Sequence, residues 1–369
     1  MDGSYSHASA ATGRSYDGLV TRYNADMNAI TPRDIAELED QLSAPTEGAI
    51  RSLGQLEGDL VILGAGGKMG PTLARMAQRA SEAAGVKRRV IAVSRFRESG
   101  LVERLQKWGV ETHSCDLLDE RAIAELPRAA NVIFMVGLKF GASTNPALTW
   151  AMNCYVPMLV SKKYYDSRIG VFSSGNVYGT ARVDQGGSRE SDPLAPVGEY
   201  AITVLGRERM FEYCSHEFEM PVVQLRLNYA TELRYGVLVD IARRVAAEEP
   251  IDVTMGWVNV IWQTEANAMA LQALEHSASP PCTLNLAGPE FLRVQDVAKR
   301  FGELFGKPVH FAGTEAEDAL LSNAEKSYRL LGKPQVTANQ MIEWTANWVG
   351  QGGESLGKPT HFQSRDGKY

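Results

Sequence analysis

Residues 60–70 read LVILGAGGKMG, a short apolar run followed directly by a glycine-rich turn. The apolar run is typical of a buried parallel strand, and a helical pattern begins at the next residue. In such a turn, Gly64 permits the tight bend, Gly67 lets the backbone approach a pyrophosphate, and Gly70 lets the helix pack on the strand. The phosphate would lie on the first amides of the helix, beside Lys68 and Met69. This stretch therefore predicts a dinucleotide site.

Strands and helices alternate downstream of this turn as far as Leu227. Five further apolar runs favour strands, at residues 89–93, 110–113, 131–136, 169–172 and 222–227. Helical spacing lies between them, at residues 71–84, 101–108, 147–166 and 200–216. The alternation predicts the α/β class, with a doubly wound parallel sheet of the Rossmann type.

Three regions are expected along the chain. Residues 1–57 form an N-terminal extension, flexible by composition over about 25 residues and then helical, with Thr31 as the first cap. Residues 58–235 form the dinucleotide-binding domain. Residues 236–369, where the alternation becomes irregular, form a smaller substrate-binding lobe that is partly interleaved with the sheet and ends in a flexible tail at 351–369.

Composition limits the possible partners. The net charge of −6 argues against nucleic acid, because phosphate binding needs a basic surface. The four cysteines are widely separated, so neither a disulfide framework nor a metal site is expected. The N-terminus lacks the apolar core of a signal peptide, and no apolar run is long enough to cross a bilayer. A soluble, cytoplasmic protein is expected.

The end of the second strand bears on the choice between NAD and NADP. Ser94 and Arg95 stand where an acidic residue would normally accept the ribose 2′-hydroxyl. Serine does not repel a 2′-phosphate, and Arg95 and Lys68 could pair with one. These residues favour NADP over NAD, although Arg95 could equally be a solvated charge.

The spacing of the glycines, G-x-x-G-x-x-G, resembles that of the extended short-chain dehydrogenases/reductases, the NAD(P)-dependent epimerase/dehydratase family. Residues 173–179 read SSGNVYG and are similar to a family segment, and Tyr200 opens a downstream helix as the family's catalytic tyrosine does. The resemblance covers roughly residues 59–349. It implies that Tyr200 is the acid/base and also contacts the cofactor, and that Ser174 polarises the substrate oxygen.

The resemblance also assigns other cofactor contacts and an assembly. Asp116 would contact the adenine, unless it is an ordinary turn aspartate, and Leu117, Val136 and Gly137 are further expected cofactor contacts. The family commonly dimerises through the helices at 147–166 and 200–216, so a homodimer is expected.

One position departs from the family pattern. The lysine expected four residues after Tyr200 is replaced by Val204. A phenol, whose unperturbed pKa is about 10, needs nearby positive charge to act as a base at neutral pH. Lys139, in the loop after the fourth strand, is the preferred substitute, and Arg207 shares a helix face with Tyr200. The oxidised nicotinamide could instead supply the charge, or the protein could be an inactive cofactor-binding regulator.

The substrate side resembles the family less closely. Asn176, Asn228 and Arg234 are candidate substrate contacts. Trp257 stands near the place of a family arginine that pairs with a diphosphate. An indole stacks on sugars but cannot neutralise a diphosphate, so a nucleoside-diphosphate sugar is less expected here than elsewhere in the family. The sequence predicts an NAD(P)-dependent epimerase, dehydratase or oxidoreductase acting on a carbohydrate-like hydroxyl substrate.

Overall fold

Seven parallel strands form the central sheet of the protein, seen in a computed structural model that describes residues 31–139 and 141–368. Numbered along the chain, the sheet strands are β1 Leu60–Leu63, β2 Val90–Ser94, β3 Glu111–Ser114, β4 Asn131–Phe134, β5 Arg168–Ser174, β7 Val222–Leu227 and β12 Cys282–Leu286. Their order across the sheet is β12-β7-β5-β4-β1-β2-β3. This order confirms the doubly wound α/β fold expected from the sequence.

Short strands pair in twos outside the sheet. They are β6 Ala181–Arg182, β8 Ala230–Thr231, β9 Ile251–Asp252, β10 Trp257–Val258, β11 Ile261–Trp262, β13 Leu292–Arg293, β14 Phe311–Ala312 and β15 Asp318–Ala319. The α-helices are α1 Ile35–Leu42, α2 Glu47–Gln55, α3 Gly70–Ala83, α4 Leu101–Lys107, α5 Glu120–Ala124, α6 Pro146–Trp150, α7 Val156–Lys163, α8 Gly198–Phe218, α9 Val237–Ala246, α10 Gln263–Ala273, α11 Val294–Phe305, α12 Glu325–Leu331 and α13 Ala338–Gly350.

The sheet is buried on both faces, as its near-continuous apolar strands require. One face packs against α2, α3 and the fully buried helix α10, and the other packs against α7 and α8. Strand β12 and helix α10 follow residue 235 in sequence, yet they complete the sheet domain. This return of the chain interleaves the C-terminal part with the dinucleotide-binding fold.

A second core holds the C-terminal lobe together. Trp262 and Trp344 pack with their ring centroids 5.2 Å apart, and Leu38 and Leu42 of α1 are buried in the same cluster. The predicted N-terminal extension is therefore helical where it is described, and its first helix packs on the lobe. The predicted flexibility of the first 25 or so residues lies outside the described residues.

The start of α1 differs from the sequence expectation. The helix begins at Ile35, and its cap is Asp34, whose carboxylate accepts the Glu37 backbone amide at 2.9 Å. Thr31 instead accepts a hydrogen bond from the Asn347 side chain at 3.0 Å. Thr31 as the cap was therefore the wrong choice, because a carboxylate placed nearer the first turn caps it equally well.

The long helix expected at 147–166 is divided. Helices α6 and α7 are joined by a π-helical turn at Ala151–Tyr155. The turn carries Asn153, whose buried side chain reaches both the loop after β4 and helix α8. Such π turns add one residue to a helix and are frequent at functional sites.

Candidate functional site

A cavity of about 410 Å³ lies over the carboxyl ends of β1, β4, β5 and β7. Ligands of open α/β sheets bind at this edge. Eleven of the residues predicted from the sequence line the cavity: Gly64, Gly67, Lys68, Met69, Val136, Gly137, Lys139, Ser174, Asn176, Tyr200 and Asn228. The fold thus brings the glycine turn, the serine and the tyrosine to one place.

The glycine turn fits a dinucleotide. Gly64 has φ +88°, a left-handed conformation that favours glycine. A Cβ at Gly70 would lie 2.3 Å from the Ala65 carbonyl oxygen, so only glycine lets α3 start so close to β1. A Cβ at Gly67 would meet only the Gly64 oxygen at 3.4 Å and would otherwise project into the space that a pyrophosphate needs. The conformation and spacing of these glycines match a phosphate cradle.

Ser94 and Arg95, which were expected to determine the preference between NAD and NADP, lie beside this turn and outside the cavity lining. An ideal Cβ at Gly66 would lie 2.5 Å from Ser94 Oγ, so the serine hydroxyl is close to the turn. The Arg95 guanidinium is 3.8 Å from the Asp116 carboxylate, and both side chains are about half exposed. Asp116 also accepts the Leu118 amide at 3.1 Å, whereas Leu117 is buried in the apolar layer below. A 2′-phosphate at Arg95 would therefore meet Asp116 as well.

Tyr200 and Ser174 face each other in the cavity. A hydrogen bond joins their side chains, and Asn176 donates to the Ser174 hydroxyl through its side chain at 2.9 Å. Burial raises the pKa of the Tyr200 phenol, and the Arg207 guanidinium and the Ser174 hydrogen bond oppose that rise. A phenol and a serine hydroxyl at this wall can both hydrogen-bond to a carbinol oxygen.

Arg207 lies two turns along α8 from Tyr200, in the wall of the same cavity. The guanidinium donates to the Phe172 carbonyl oxygen at 2.7 Å and to Asn153 Oδ1 at 2.7 Å. A Cβ at Gly137 would lie 2.4 Å from Arg207 Nη2, so that glycine makes room for the arginine. Arg207 is therefore fixed as a buried positive charge beside the tyrosine.

Val204, at the position of the family's lysine, packs with Val177, Tyr178 and Leu194 in an apolar cluster. The side chain is completely buried. A lysine ammonium there would have to be placed in an apolar cluster or be extended out of it, which is costly. In this protein Val204 stabilises the packing of α8 rather than contributing charge.

Two predicted lysines line the cavity. The Lys139 ammonium is 5.7 Å from the centroid of the Tyr200 ring and donates to the Thr360 carbonyl oxygen at 3.4 Å. The Lys68 ammonium is 3.2 Å from the centroid of the Tyr235 ring. Burial lowers the pKa of Lys139 to about 8. The pKa of Lys68 is lowered to about 7 by burial and by repulsion from Lys139 and Lys358. Lys68 therefore extends into the cavity, whereas Arg95 lies outside its lining.

Two predicted substrate contacts are not brought into the cavity. Arg234 forms ion pairs with Glu232 at 3.2 Å and with Glu39 of α1 at 3.6 Å. Trp257 packs beside Met255 and Leu320 in a small apolar cluster of the lobe. Asn228 does line the cavity, although its amide nitrogen already donates to Asn259 Oδ1 at 2.8 Å.

A buried ion pair lies behind this wall. Arg226 of β7 and Glu208 of α8 are 2.8 Å apart, and both are almost fully buried. Arg226 also donates to the Tyr178 hydroxyl at 2.8 Å, which donates in turn to Asn285 Oδ1 at 2.7 Å. Ser173 donates to Glu208 through its hydroxyl. The network links β5, β7, β12 and α8 directly beside Ser174 and Tyr200.

Sequence reasoning missed two cavity residues at the C-terminal end of the chain. Lys358 and Thr360 line the cavity, and Thr360 is buried. Their segment has no regular secondary structure and is rich in glycine, which made it read as a tail. The burial of Phe362 shows that the segment packs on the rest of the protein, and this isolated phenylalanine is a sequence signal for that packing.

Comparisons with known proteins agree with this fold. A sequence model of the NAD dependent epimerase/dehydratase family matches residues 60–254, which is just over half of the chain. Among curated proteins, no sequence matches the chain. Several hundred solved chains do match in structure.

Three of these solved structures illustrate the likeness. The UDP-glucose 4-epimerase of Thermotoga maritima with UDP-glucose is 17% identical, with a TM-score of 0.67 over 80% of this chain and 99% of that one. The UDP-glucuronic acid 4-epimerase of Bacillus cereus with UDP-glucuronic acid and NAD is 15% identical, with a TM-score of 0.65 over 79% and 99%. The dTDP-glucose 4,6-dehydratase of Bacillus anthracis with NAD is 14% identical, with a TM-score of 0.65 over 79% and 96%. At these identities the likeness shows a shared fold. With the family match over residues 60–254, the glycine turn and the seven-stranded sheet, the chain belongs to the NAD-dependent epimerase/dehydratase family.

Proposed function

We propose that the protein is an NAD(P)-dependent epimerase, dehydratase or oxidoreductase that acts on a hydroxyl group of a sugar or sugar-like substrate. The observation that carries this proposal is the meeting of Tyr200, Ser174 and Arg207 in the same cavity as the glycine turn. A packing tyrosine would not need a serine partner and a buried cation in a ligand-sized cavity.

The residues have distinct roles in this proposal. A bound oxidised nicotinamide would accept a hydride from the carbinol carbon. Ser174 hydrogen-bonds to the carbinol oxygen, and Tyr200 removes its proton. Two cations stand beside the phenol in place of the family's lysine: Arg207, which opposes the rise in the pKa of Tyr200, and Lys139, whose ammonium is 5.7 Å from the centroid of the Tyr200 ring. Asn176 and Asn153 hold Ser174 and Arg207 in place.

Cofactor choice is a separate part of the proposal. The preference for NADP that Ser94 and Arg95 indicate stays a prediction, and the nearby Asp116 carboxylate opposes it. Calorimetric titration with NAD and with NADP decides between them. If Arg95 binds a 2′-phosphate, Arg95→Ala weakens NADP binding by about tenfold and leaves NAD binding unchanged. Equal effects on both cofactors would contradict a role for Arg95.

Turnover by a Tyr200→Phe variant tests the proposed activity. Incubation with NAD or NADP and with UDP-glucose, UDP-glucuronic acid, dTDP-glucose and simple sugars is followed by proton NMR, which distinguishes epimers of equal mass, by mass spectrometry and by absorbance at 340 nm. We expect the wild type to convert at least one compound, Tyr200→Phe to lose at least about a hundredfold in rate, and cofactor binding to persist. Tyr213→Phe, on an exposed tyrosine of the same helix, is the matched control and should keep full activity.

Val204 motivates a second candidate, an inactive cofactor-binding regulator of the same fold. This candidate predicts cofactor binding without turnover, and no difference between Tyr200→Phe and wild type in any assay. Loss of a measurable turnover in Tyr200→Phe alone would exclude it. The spectrum of cofactor released on denaturation adds a further distinction, because stoichiometric bound cofactor favours an epimerase or dehydratase over net oxidation.

The expected homodimer is also a proposal. An apolar cleft runs over α6, the π turn and α8, lined by Trp150, Cys154, Tyr155 and Met210 among others. Trp150 and Tyr155 are each nearly half exposed. Exposed aromatic groups on two adjacent helices are typical of a self-association face. No helix within the described ranges is both long and apolar enough to cross a membrane.

A further inference from the structure

The C-terminal segment 351–368, which we call the C-terminal strap, crosses the mouth of the cavity. Its Leu356 amide donates to the Arg234 carbonyl oxygen at 3.1 Å, which ties the strap to the loop after β8. Further along, Phe362 is buried in the core of the lobe. The strap ends beside the first residue of the Tyr200 helix, where a Cβ on Gly198 would lie 2.5 Å from the Gly367 carbonyl oxygen.

The strap supplies part of the cavity wall. Thr360 is held by Asp240 at the start of α9, whose carboxylate accepts both its backbone amide at 2.7 Å and its hydroxyl at 2.6 Å. The Thr360 carbonyl oxygen accepts from Lys139 at 3.4 Å. Lys358, two residues earlier, is exposed and lies at the rim of the cavity. The strap therefore presents a positive charge to the space in front of Tyr200.

Three lysine ammonium groups share this cavity, from the glycine turn, from the loop after β4 and from the strap: Lys68, Lys139 and Lys358. Among the described residues near Lys68, Asp240 accepts from Thr360 and Glu232 pairs with Arg234. The attraction of these two carboxylates on Lys68 is smaller than the effects of burial and of the other two lysines. Three basic side chains from three separate segments therefore line one cavity.

We propose that the C-terminal strap completes the substrate site, where Lys358 acts with Lys68 and Lys139 to bind an anionic group of the substrate, either a carboxylate or a phosphoryl group. This inference rests on the proposed function and names the substrate class more closely. An anion that enters among three basic side chains is attracted by each of them. Because Lys139 lies over the Tyr200 ring, the anion would bind close to the hydroxyl that reacts.

Equilibrium binding of three simple probe compounds tests this inference. Glucuronic acid, glucose 6-phosphate and glucose are titrated by calorimetry into the full-length protein, with and without saturating NAD. We expect at least one of the two anions to bind about tenfold or more tightly than glucose. Preference for glucuronic acid identifies a carboxylate, and preference for glucose 6-phosphate identifies a phosphoryl group. Equal binding of all three overturns the proposal.

Variants connect the preference to the strap. Lys358→Gln should reduce the preference for the anion at least about threefold, whereas Lys358→Arg should keep most of it. The matched control is Lys107→Gln, which alters an exposed lysine at the end of α4, outside the cavity lining. An equal loss in Lys107→Gln, or an equal loss of NAD affinity in Lys358→Gln, overturns the assignment of Lys358 to the substrate.

The two proposals fail differently. If neither NAD nor NADP binds, the proposed function fails, while the titrations without cofactor still report the anion preference. If NAD binds and turnover depends on Tyr200 but no anion preference exists, only the inference about the strap fails.

Discussion

Removal of the negative charge of the buried pair between Glu208 and Arg226 should be far more destabilising than the same change at the surface. Glu208→Gln keeps the shape of the side chain and its acceptor oxygen. It leaves the Arg226 guanidinium, about nine-tenths buried, without a counter-charge. The matched control is Glu212→Gln, on the same helix, whose carboxylate pairs with Arg209 at the surface.

The expected magnitudes follow from burial. Loss of one partner of a buried pair costs about 3 to 5 kcal/mol, because the remaining charge stays desolvated. Loss of an exposed pair costs about 0 to 1 kcal/mol. We therefore expect a decrease of about 3 kcal/mol in the free energy of unfolding for Glu208→Gln and less than about 1 kcal/mol for Glu212→Gln.

Urea denaturation followed by circular dichroism measures both values, provided that the slope of the transition is unchanged. The double variant Glu208→Gln/Arg226→Met removes the charge that was left alone. It should recover much of the lost stability, because the Tyr178 hydroxyl keeps Asn285 as its acceptor. A loss below about 1 kcal/mol in Glu208→Gln, or a double variant less stable than the single one, would refute this reasoning.

Three further predictions concern the turn, a buried carboxyl group and the exposed face. Gly70→Ala should unfold the turn or abolish cofactor binding in calorimetry, because the new Cβ would lie 2.3 Å from a carbonyl oxygen. The control is Gly350→Ala, whose Cβ would meet only Phe305 at 3.9 Å and which should change the free energy of unfolding by less than about 1 kcal/mol. Burial raises the pKa of Glu265 from 4.5 to about 7 in the folded protein. The contribution of this carboxyl group to the free energy of unfolding is therefore complete below the unfolded pKa and is lost as the pH rises through the folded pKa. In urea titrations the free energy of unfolding of Glu265→Gln, relative to the wild type, should therefore increase by about 1.4 kcal/mol per pH unit between pH 4.5 and about 7 and stay constant above that range. A difference that does not depend on pH would contradict the raised pKa. Trp150→Asp should convert a homodimer into a monomer in light scattering, and an unchanged mass would exclude that face as the interface.

Local sequence was enough to predict six of the seven strands of the sheet. The runs at 60–63 and 222–227 match β1 and β7 residue for residue, because parallel strands covered on both faces must be apolar throughout. Strand β12 was not predicted as part of the sheet. Its five residues include Thr283 and Asn285, and it joins β7 only after a long excursion of the chain.

The positions of site residues were predictable where they belong to a short sequence motif. Ser174 and Tyr200 both line the cavity from positions that the spacing indicated. The surroundings of Arg207 were not predictable, since its place depends on Asn153 in a π turn and on a glycine of a third segment. The strap was missed for a similar reason, because its contacts with Arg234, Asp240 and Gly198 are all distant in sequence.

The most direct test of the central claim is the ionisation of the Tyr200 phenol in the presence of oxidised cofactor. Ultraviolet difference titration at 295 nm, with Tyr200→Phe as the reference, isolates the phenolate signal of this residue. We expect oxidised NAD or NADP to lower the pKa of Tyr200, the reduced cofactor not to lower it, and Arg207→Met to raise it. A titration that is the same with and without oxidised cofactor, and unchanged by Arg207→Met, would contradict the assignment of Tyr200 as the acid/base.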